Sequence, residues 1–265
     1  MLKKILIIAC WLILVSGLIV LTSFVNIHHN QINCKKVELL IQYNHADYLL
    51  TEADVFQFLE TNGIKMKDSK IHDINLNNIE SLLYKIPYVE KADVFMNING
   101  DIGIKIVQKT PLIKVFNQYQ QSFYIDENGK TMPASSNYTA RVIVANGFIE
   151  NRYHDKLCVA EKSLSKKDSL IKNTSLYKVY QIAAYIQQDA FWSAMIEEIF
   201  INKNKEIELF TKIGNQTILF GNSEKMDEKF KKLYAFYKQI LNKTGWEHYN
   251  VINLKYENQI VCSKI

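Results

Sequence analysis

Ile86-Pro87-Tyr88-Val89-Glu90-Lys91-Ala92-Asp93-Val94-Phe95-Met96-Asn97-Ile98-Asn99-Gly100-Asp101-Ile102-Gly103-Ile104-Lys105-Ile106 is where the pattern of the chain changes. Before it, Ile79, Leu82, Leu83 and Ile86 recur at helical spacing, and Pro87 ends the run because it lacks an N–H and clashes with the preceding turn. After Pro87 the period falls to two. Ala92, Val94, Met96 and Ile98 alternate with polar or exposed-type residues, then Ile102, Ile104 and Ile106 alternate again. Asn99-Gly100 between them is a strong hairpin signal, since a tight two-residue turn needs positive φ at its centre.

Upstream, Lys36–Gln42 is short and apolar-rich and reads as a strand. Thr51-Glu52-Ala53-Asp54 is a capping-box variant, in which the Thr51 hydroxyl takes a free helix N–H and Asp54 reaches back. Val55, Phe58 and Leu59 share one face of the helix it starts, and Asn62-Gly63 ends that helix. A second helix runs from about Leu76. The order strand, helix, helix, strand, strand predicts two helices on one face of a small sheet, over residues 36–109.

Further upstream, Ile5–Val25 is apolar and uncharged. As a helix rising about 1.5 Å per residue it would span roughly 30 Å, the thickness of a bilayer's hydrocarbon core. Lys3 and Lys4 precede it, and the next Lys or Arg is Lys35. That asymmetry predicts a cytoplasmic tail at 1–4, a transmembrane helix at 5–25, a linker at 26–35 and a translocated remainder. The run is longer than a signal-peptide core, and Thr22-Ser23-Phe24-Val25-Asn26 offers no small-residue cleavage site. Cys10 reads as a plain membrane cysteine.

Downstream, residues 110–265 read as a second module. Leu112–Asn117, Ser122–Ile125 and Arg141–Ala145 are predicted strands, with Asp126-Glu127-Asn128-Gly129 a tight turn. Phe148–Asn173 is polar, basic and aperiodic, and reads as a solvated loop. Leu176, Val179, Ala183 and Ile186 mark a helix. Ile196–Ile201, Glu206–Thr211 and Gln216–Phe220 form a meander. Met226, Phe230, Leu233, Tyr237 and Ile240 mark a second helix, and Val251–Tyr256 and Gln259–Cys262 the last strands. The fold class expected is α+β: an N-terminal transmembrane helix, the β-α-α-β-β module, and an antiparallel β-domain with two helices.

Composition excludes several classes. The net charge of +5 is mild and spread along the chain, which does not argue for nucleic acid. The four cysteines make no disulfide framework, and whether Cys158 meets Cys262 is left open. No Gly-rich phosphate loop, H-E-x-x-H, C-x-x-C or G-x-S-x-G occurs. His154 and Cys158 are four apart but lack a further ligand nearby. His28-His29 read as a solvated pair, and Asp126 and Glu127 as turn formers rather than paired catalytic acids. No catalytic, cofactor or metal residue is therefore assigned, and no small-molecule substrate is expected.

The first module resembles a POTRA domain. Ile86-Pro87-Tyr88-Val89-Glu90-Lys91-Ala92-Asp93-Val94 matches the P-x-V-x-x-A-x-V signature. Lys105-Ile106-Val107-Gln108-Lys109-Thr110-Pro111-Leu112 matches I-x-x-R-x-P-I-A, with Lys109 where Arg is common. Phe123-Tyr124-Ile125-Asp126-Glu127-Asn128-Gly129-Lys130 resembles the Y-x-I-D-x-x-G hairpin that opens the second domain of the FtsQ/DivIB cell-division family. Val251-Ile252-Asn253-Leu254-Lys255-Tyr256 resembles its I-D-L-R-Y, with Asn253 for Asp and Lys255 for Arg.

The resemblance implies a non-enzymatic scaffold of the inner membrane at the division septum. It implies FtsB- and FtsL-like partners and, through them, the septal wall synthase. It also implies that the last strand receives a partner segment. Tyr256 matches the family's motif tyrosine; Asn258, Gln259, Ile260, Val261, Cys262 and Ser263 follow by position. Little sequence remains after Ser263 to cover that edge, and an uncovered edge presents unpaired N–H and C=O groups. Two other classes are a POTRA-bearing export or outer-membrane assembly factor and a membrane-anchored extracytoplasmic enzyme. The first usually carries tandem modules or a barrel, and the second needs a catalytic constellation.

Overall fold

The computed structural model describes residues 11–20, 33–44, 48–155, 157–160, 169–214, 216–241, 245–246 and 248–264. The expectation of a transmembrane helix at Ile5–Val25 is overturned. Residues 11–20 are helical, and among the described residues no helix is long and apolar enough to cross a membrane. A span needs roughly 20 apolar residues in one helix, about 30 Å of rise. The rest of that run, with Cys10 and His28-His29, lies outside the described residues.

The remaining described chain divides into two compact units. The first unit ends at Gln108 and contains β1 (Val37–Gln42), α1 (Glu52–Thr61), α2 (Leu76–Leu83), β2 (Val89–Met96) and β3 (Ile102–Gln108). The strands lie in the order β1-β3-β2, with β1 parallel and β2 antiparallel to β3. Thr51 and Asp54 form the reciprocal capping box: the Asp54 N–H donates to Thr51 Oγ1 at 3.3 Å, and the Thr51 N–H donates to Asp54 Oδ2 at 2.9 Å. Asn75 caps α2, which ends at Leu83, ahead of Pro87. In the β2–β3 turn, Asn97 Oδ1 accepts from the N–H groups of Asn99 and Asp101, and Gly100 supplies φ +85°. Val55, Leu59, Ile79 and Leu83 of the helices and Ile102, Ile104 and Ile106 of β3 are buried.

The second unit is one nine-stranded sheet with helices. Its elements are β4 (Pro111–Phe116), β5 (Ser122–Asp126), β6 (Thr131–Pro133), β7 (Ile143–Gly147), α3 (Ser175–Gln187), α4 (Ala190–Met195), β8 (Ile196–Ile201), β9 (Ile207–Thr211), β10 (Thr217–Gly221), α5 (Met226–Phe236), β11 (Tyr249–Asn253) and β12 (Val261–Lys264). The order across the sheet is β12-β11-β10-β9-β8-β7-β4-β5-β6. The antiparallel expectation is corrected. The pairs β4–β7, β7–β8 and β10–β11 are parallel. For β7–β8 and β10–β11 the cause is connectivity: α3 and α4 lie between β7 and β8, and α5 between β10 and β11. Such helical crossovers return the chain in the same direction, whereas hairpins reverse it.

The two-helix expectation is corrected as well, because Asp189 caps the additional short helix α4. The side chains alternate across the central strands, apart from register shifts between Ile196 and Glu198 of β8 and between Leu219 and Gly221 of β10. Ile196, Ile199, Ile201, Ile207, Leu209, Ile218, Phe220 and Ile252 are buried with Val179, Ile182, Ala183, Ile186, Phe230 and Leu233 of the helices. The other face carries the half-buried Phe200, Phe210, Leu219 and Val251. Phe230 is the hub of an aromatic cluster, its ring centroid 4.6 Å from Tyr185, 5.0 Å from Trp192 and 5.1 Å from Phe220.

The segment after β7 is not the solvated loop expected at Phe148–Asn173. Ile149 and Val159 are fully buried. The Thr131 N–H of β6 donates to Leu157 O, the Val159 N–H donates to Gly129 O, and Lys130 and Cys158 form an antiparallel bridge. The segment therefore lies along β6 and covers that end of the sheet. Residues 161–168 lie outside the described residues.

Candidate functional site

The two ends of the nine-stranded sheet differ. The β6 end is covered as described above. At the other end β12 pairs with β11 only, through Tyr249↔Lys264, Val251↔Ser263, Ile252↔Cys262 and Asn253↔Val261, with a bulge between Tyr249 and Val251. Among the described residues no strand lies on its outer side. Val261 is 43% exposed, Ser263 and Lys264 are exposed, and Cys262 is half-buried against the core, where burial pushes its thiol pKa up.

The chain reaches this edge through a turn rather than a strand. Leu254 is buried and its N–H donates to Leu219 O at 3.0 Å, the last sheet contact before the turn. Asn253 Oδ1 then accepts the Lys255 N–H at 3.0 Å and bends the chain. Tyr256, Asn258 and Gln259, expected on the strand, lie in this turn and are exposed; Ile260 is half-buried against the core. Of the residues expected to bind a partner, the structure places Val261, Cys262 and Ser263 on the edge strand and the other four on its approach.

Three lysines hold the approach. Lys232 of α5 donates to Tyr256 O at 2.7 Å and to Glu257 O at 2.9 Å. Lys225, just ahead of α5, pairs with Glu257 at 2.6 Å; the attraction lowers the Glu257 pKa and raises that of Lys225. Lys255 bonds both carboxylate oxygens of Glu206 at 3.1 Å, which lowers the Glu206 pKa. Lys229 lies one turn before Lys232 on α5 and is nearly buried. Its ammonium donates to Asn222 O and Oδ1, both at 2.8 Å, and lies 4.9 Å from the Phe220 ring centroid; burial pushes its pKa down. Sequence reasoning missed this clamp. Part of the signal was present: Lys229 and Lys232 are three apart in α5, which puts them on one helix face.

The other positions weighed in the sequence are used structurally. Asp126 is 1% exposed; its Oδ1 accepts the Lys130 N–H at 2.8 Å, closing the turn into β6. Glu127 Oε1 accepts from the Gln187 side chain. The backbone oxygen of His154 accepts from the Thr131 hydroxyl at 2.6 Å, and the Cys158 thiol meets Asn128 O. Cys34, Cys158 and Cys262 are free cysteines. Among the described residues no group of three His, Cys, Asp or Glu side chains is placed to hold a metal. The outer side of β12 presents backbone N–H and C=O groups.

Two family models match the chain. One, described as FtsQ/DivIB, C-terminal related, covers residues 110–263. The other, described as a POTRA-like domain, covers residues 32–107. No curated protein matches the chain.

Proposed function

Because this chain belongs to the FtsQ/DivIB C-terminal-related family, we propose that it is a non-enzymatic scaffold of the division site. It gathers FtsB- and FtsL-like proteins and through them helps position and regulate septal peptidoglycan synthesis. The family match over residues 110–263, which takes in the sheet from β4 to β12, carries this reading. The POTRA-like match over residues 32–107 agrees with a protein that works by contact. In this reading residues 36–109 and 110–265 act as the two working modules.

The mechanism proposed is strand addition. A partner segment pairs its backbone with the outer side of Val261, Cys262 and Ser263, while Tyr256, Asn258, Gln259 and Ile260 frame its approach. Main-chain hydrogen bonds then supply affinity and the framing side chains supply choice of partner. The lysine clamp supports this, because an edge fixed in advance loses less conformational freedom when the partner arrives.

Co-purification from dividing cells tests it, using the tagged full chain and Val261→Lys. A lysine at a sheet edge opposes strand addition, and Val261 is exposed enough to accept one without disturbing the core. FtsB- and FtsL-like proteins should accompany the unmodified chain and fall by about tenfold or more with Val261→Lys. Equal capture by both forms would place the contact elsewhere. Capture of no division protein by either form would remove the scaffold reading.

A further inference from the structure

The helices α3, α4 and α5 pack on one face of the nine-stranded sheet, beside Ala145, Ile199, Leu209, Ile218 and Ile252. Neighbouring residues on the same strands point the opposite way. A sheet face turned to water ordinarily carries polar side chains. Here each of five adjacent strands, β7 to β11, puts one apolar residue on that face: Val144, Phe200, Phe210, Leu219 and Val251, all half-buried.

The register aligns them. Val144, Glu198, Phe210, Thr217 and Val251 pair in one row across the strands, and Asn146, Phe200, Glu208, Leu219 and Asn253 in the next. The apolar residues therefore step from row to row as a zigzag band, with the Phe200 and Phe210 ring centroids 6.4 Å apart. At about 4.8 Å per strand, the band runs roughly 19 Å across the sheet. Glu198 and Glu208 flank its middle on opposite sides. Asn146 Nδ2 donates to Glu198 Oε1 and Asn202 Nδ2 to Glu208 Oε1, both at 2.9 Å, which orients the two carboxylates. Among the described residues neither has a cation within ion-pair distance. Lys114, beyond Val144 in the first row, lies instead over the Phe116 and Tyr124 rings.

A contiguous apolar band rimmed by charge marks an interaction surface. The carboxylates decide what docks. A second copy laid face to face would bring like charges together, which opposes self-association. A helix fits: about 13 residues rise 19 Å, and an apolar stripe laid on the band puts lysines on its two flanks within reach of Glu198 and Glu208.

We propose that this face takes an amphipathic helix of a partner protein, apolar along one stripe and basic on both sides of it. The site is the flat of the sheet, not its β12 edge, and does not rest on strand addition there.

The test uses the full chain and a fluorescein-labelled peptide of about 14 residues, stapled as a helix, with a leucine stripe flanked by lysines. Anisotropy should show saturable binding that weakens with salt. Glu198→Lys with Glu208→Lys should weaken it by about tenfold or more. The same double variant should bind a peptide whose lysines are replaced by glutamates, which the unmodified chain does not take; that gain also shows the variant to be folded. Phe210→Thr should weaken binding of the lysine peptide by about tenfold, because the centre of the band is lost. Val261→Lys, at the edge, should leave the affinity unchanged. No binding by the unmodified chain, equal binding by the double variant, no gain with the glutamate peptide, or loss with Val261→Lys would each overturn the proposal.

Discussion

The two ends of the nine-stranded sheet solve the edge problem in opposite ways. At β6 the chain covers itself: Leu157 accepts from Thr131, Val159 donates to Gly129, and Ile149 and Val159 sink into the core. At β12 the covering is absent among the described residues, yet the turn that leads in is held by Lys225, Lys232 and Lys255. An edge left open by mere looseness would not need such a clamp. The difference teaches that exposure of backbone and order of backbone are separate properties, and that β12 has both.

The largest effect expected from a single substitution that attacks this contrast is at Gly129→Ala. Gly129 has φ +76°, and a Cβ there would lie 2.5 Å from the Ala160 nitrogen. The left-handed conformation alone costs roughly 1–2 kcal/mol, and the backbone of the cover must also shift. Chemical denaturation should show the loss, and amide exchange at Thr131 should rise towards that of an open edge. Next comes Lys232→Ala. Losing its two bonds to Tyr256 O and Glu257 O should cost about 1 kcal/mol of local order. Exchange across Val261–Lys264 should accelerate while the global unfolding midpoint changes little.

Asp126 sharpens the covered end through pH. Burial raises its carboxyl pKa above the usual 3.8, with the charge of Lys109 working the other way. Among the described residues its Oδ2 has no hydrogen-bond partner. The folded state thus holds the proton more tightly than the unfolded chain. The stabilising contribution is full below 3.8 and is lost as pH rises through the folded value. Relative to Asp126→Asn, the unmodified chain should lose stability as pH climbs through that window, read from denaturation midpoints at a series of pH values. A difference independent of pH would contradict the assignment. The smallest effect belongs to Glu257→Gln. Its ion pair with Lys225 is fully solvated, so the midpoint should not move measurably, and Lys232 alone should keep the turn in place.

Much of the local structure was legible because local chemistry fixes it. The Thr51–Asp54 box, the Asn99-Gly100 turn and the apolar face Leu176, Val179, Ala183 and Ile186 need only neighbours in sequence. The parallel pairs were less visible. The strand–helix–strand order around α3 and α5 is visible in the sequence, but the direction of pairing depends on where each returning strand docks, a long-range property. Ile149, Tyr153, Leu157 and Val159 follow no period; Leu157 and Val159 are held by Thr131 and Gly129 beside β6, and Ile149 and Tyr153 by Gln118, Gln121 and Phe123 of the β4–β5 hairpin, all long-range contacts. The resemblance implies a partner-binding strand that begins at Tyr256, but Tyr256 to Ile260 precede β12 as a turn. Lys232 of α5 and Lys225 just ahead of it, far off in sequence, hold that turn. The apolar run near the N-terminus suggested a spanning length, but the helix described within it covers residues 11–20.

The central claim is that a partner strand adds to β12. Amide hydrogen exchange of the full chain, with and without the exported segment of an FtsB-like protein, addresses it at the residues concerned. Slowing by about tenfold or more confined to Val261–Lys264 and the Tyr256 turn, with β6 unchanged, is the result expected of strand addition. Unchanged exchange at β12 in the presence of bound partner would contradict it.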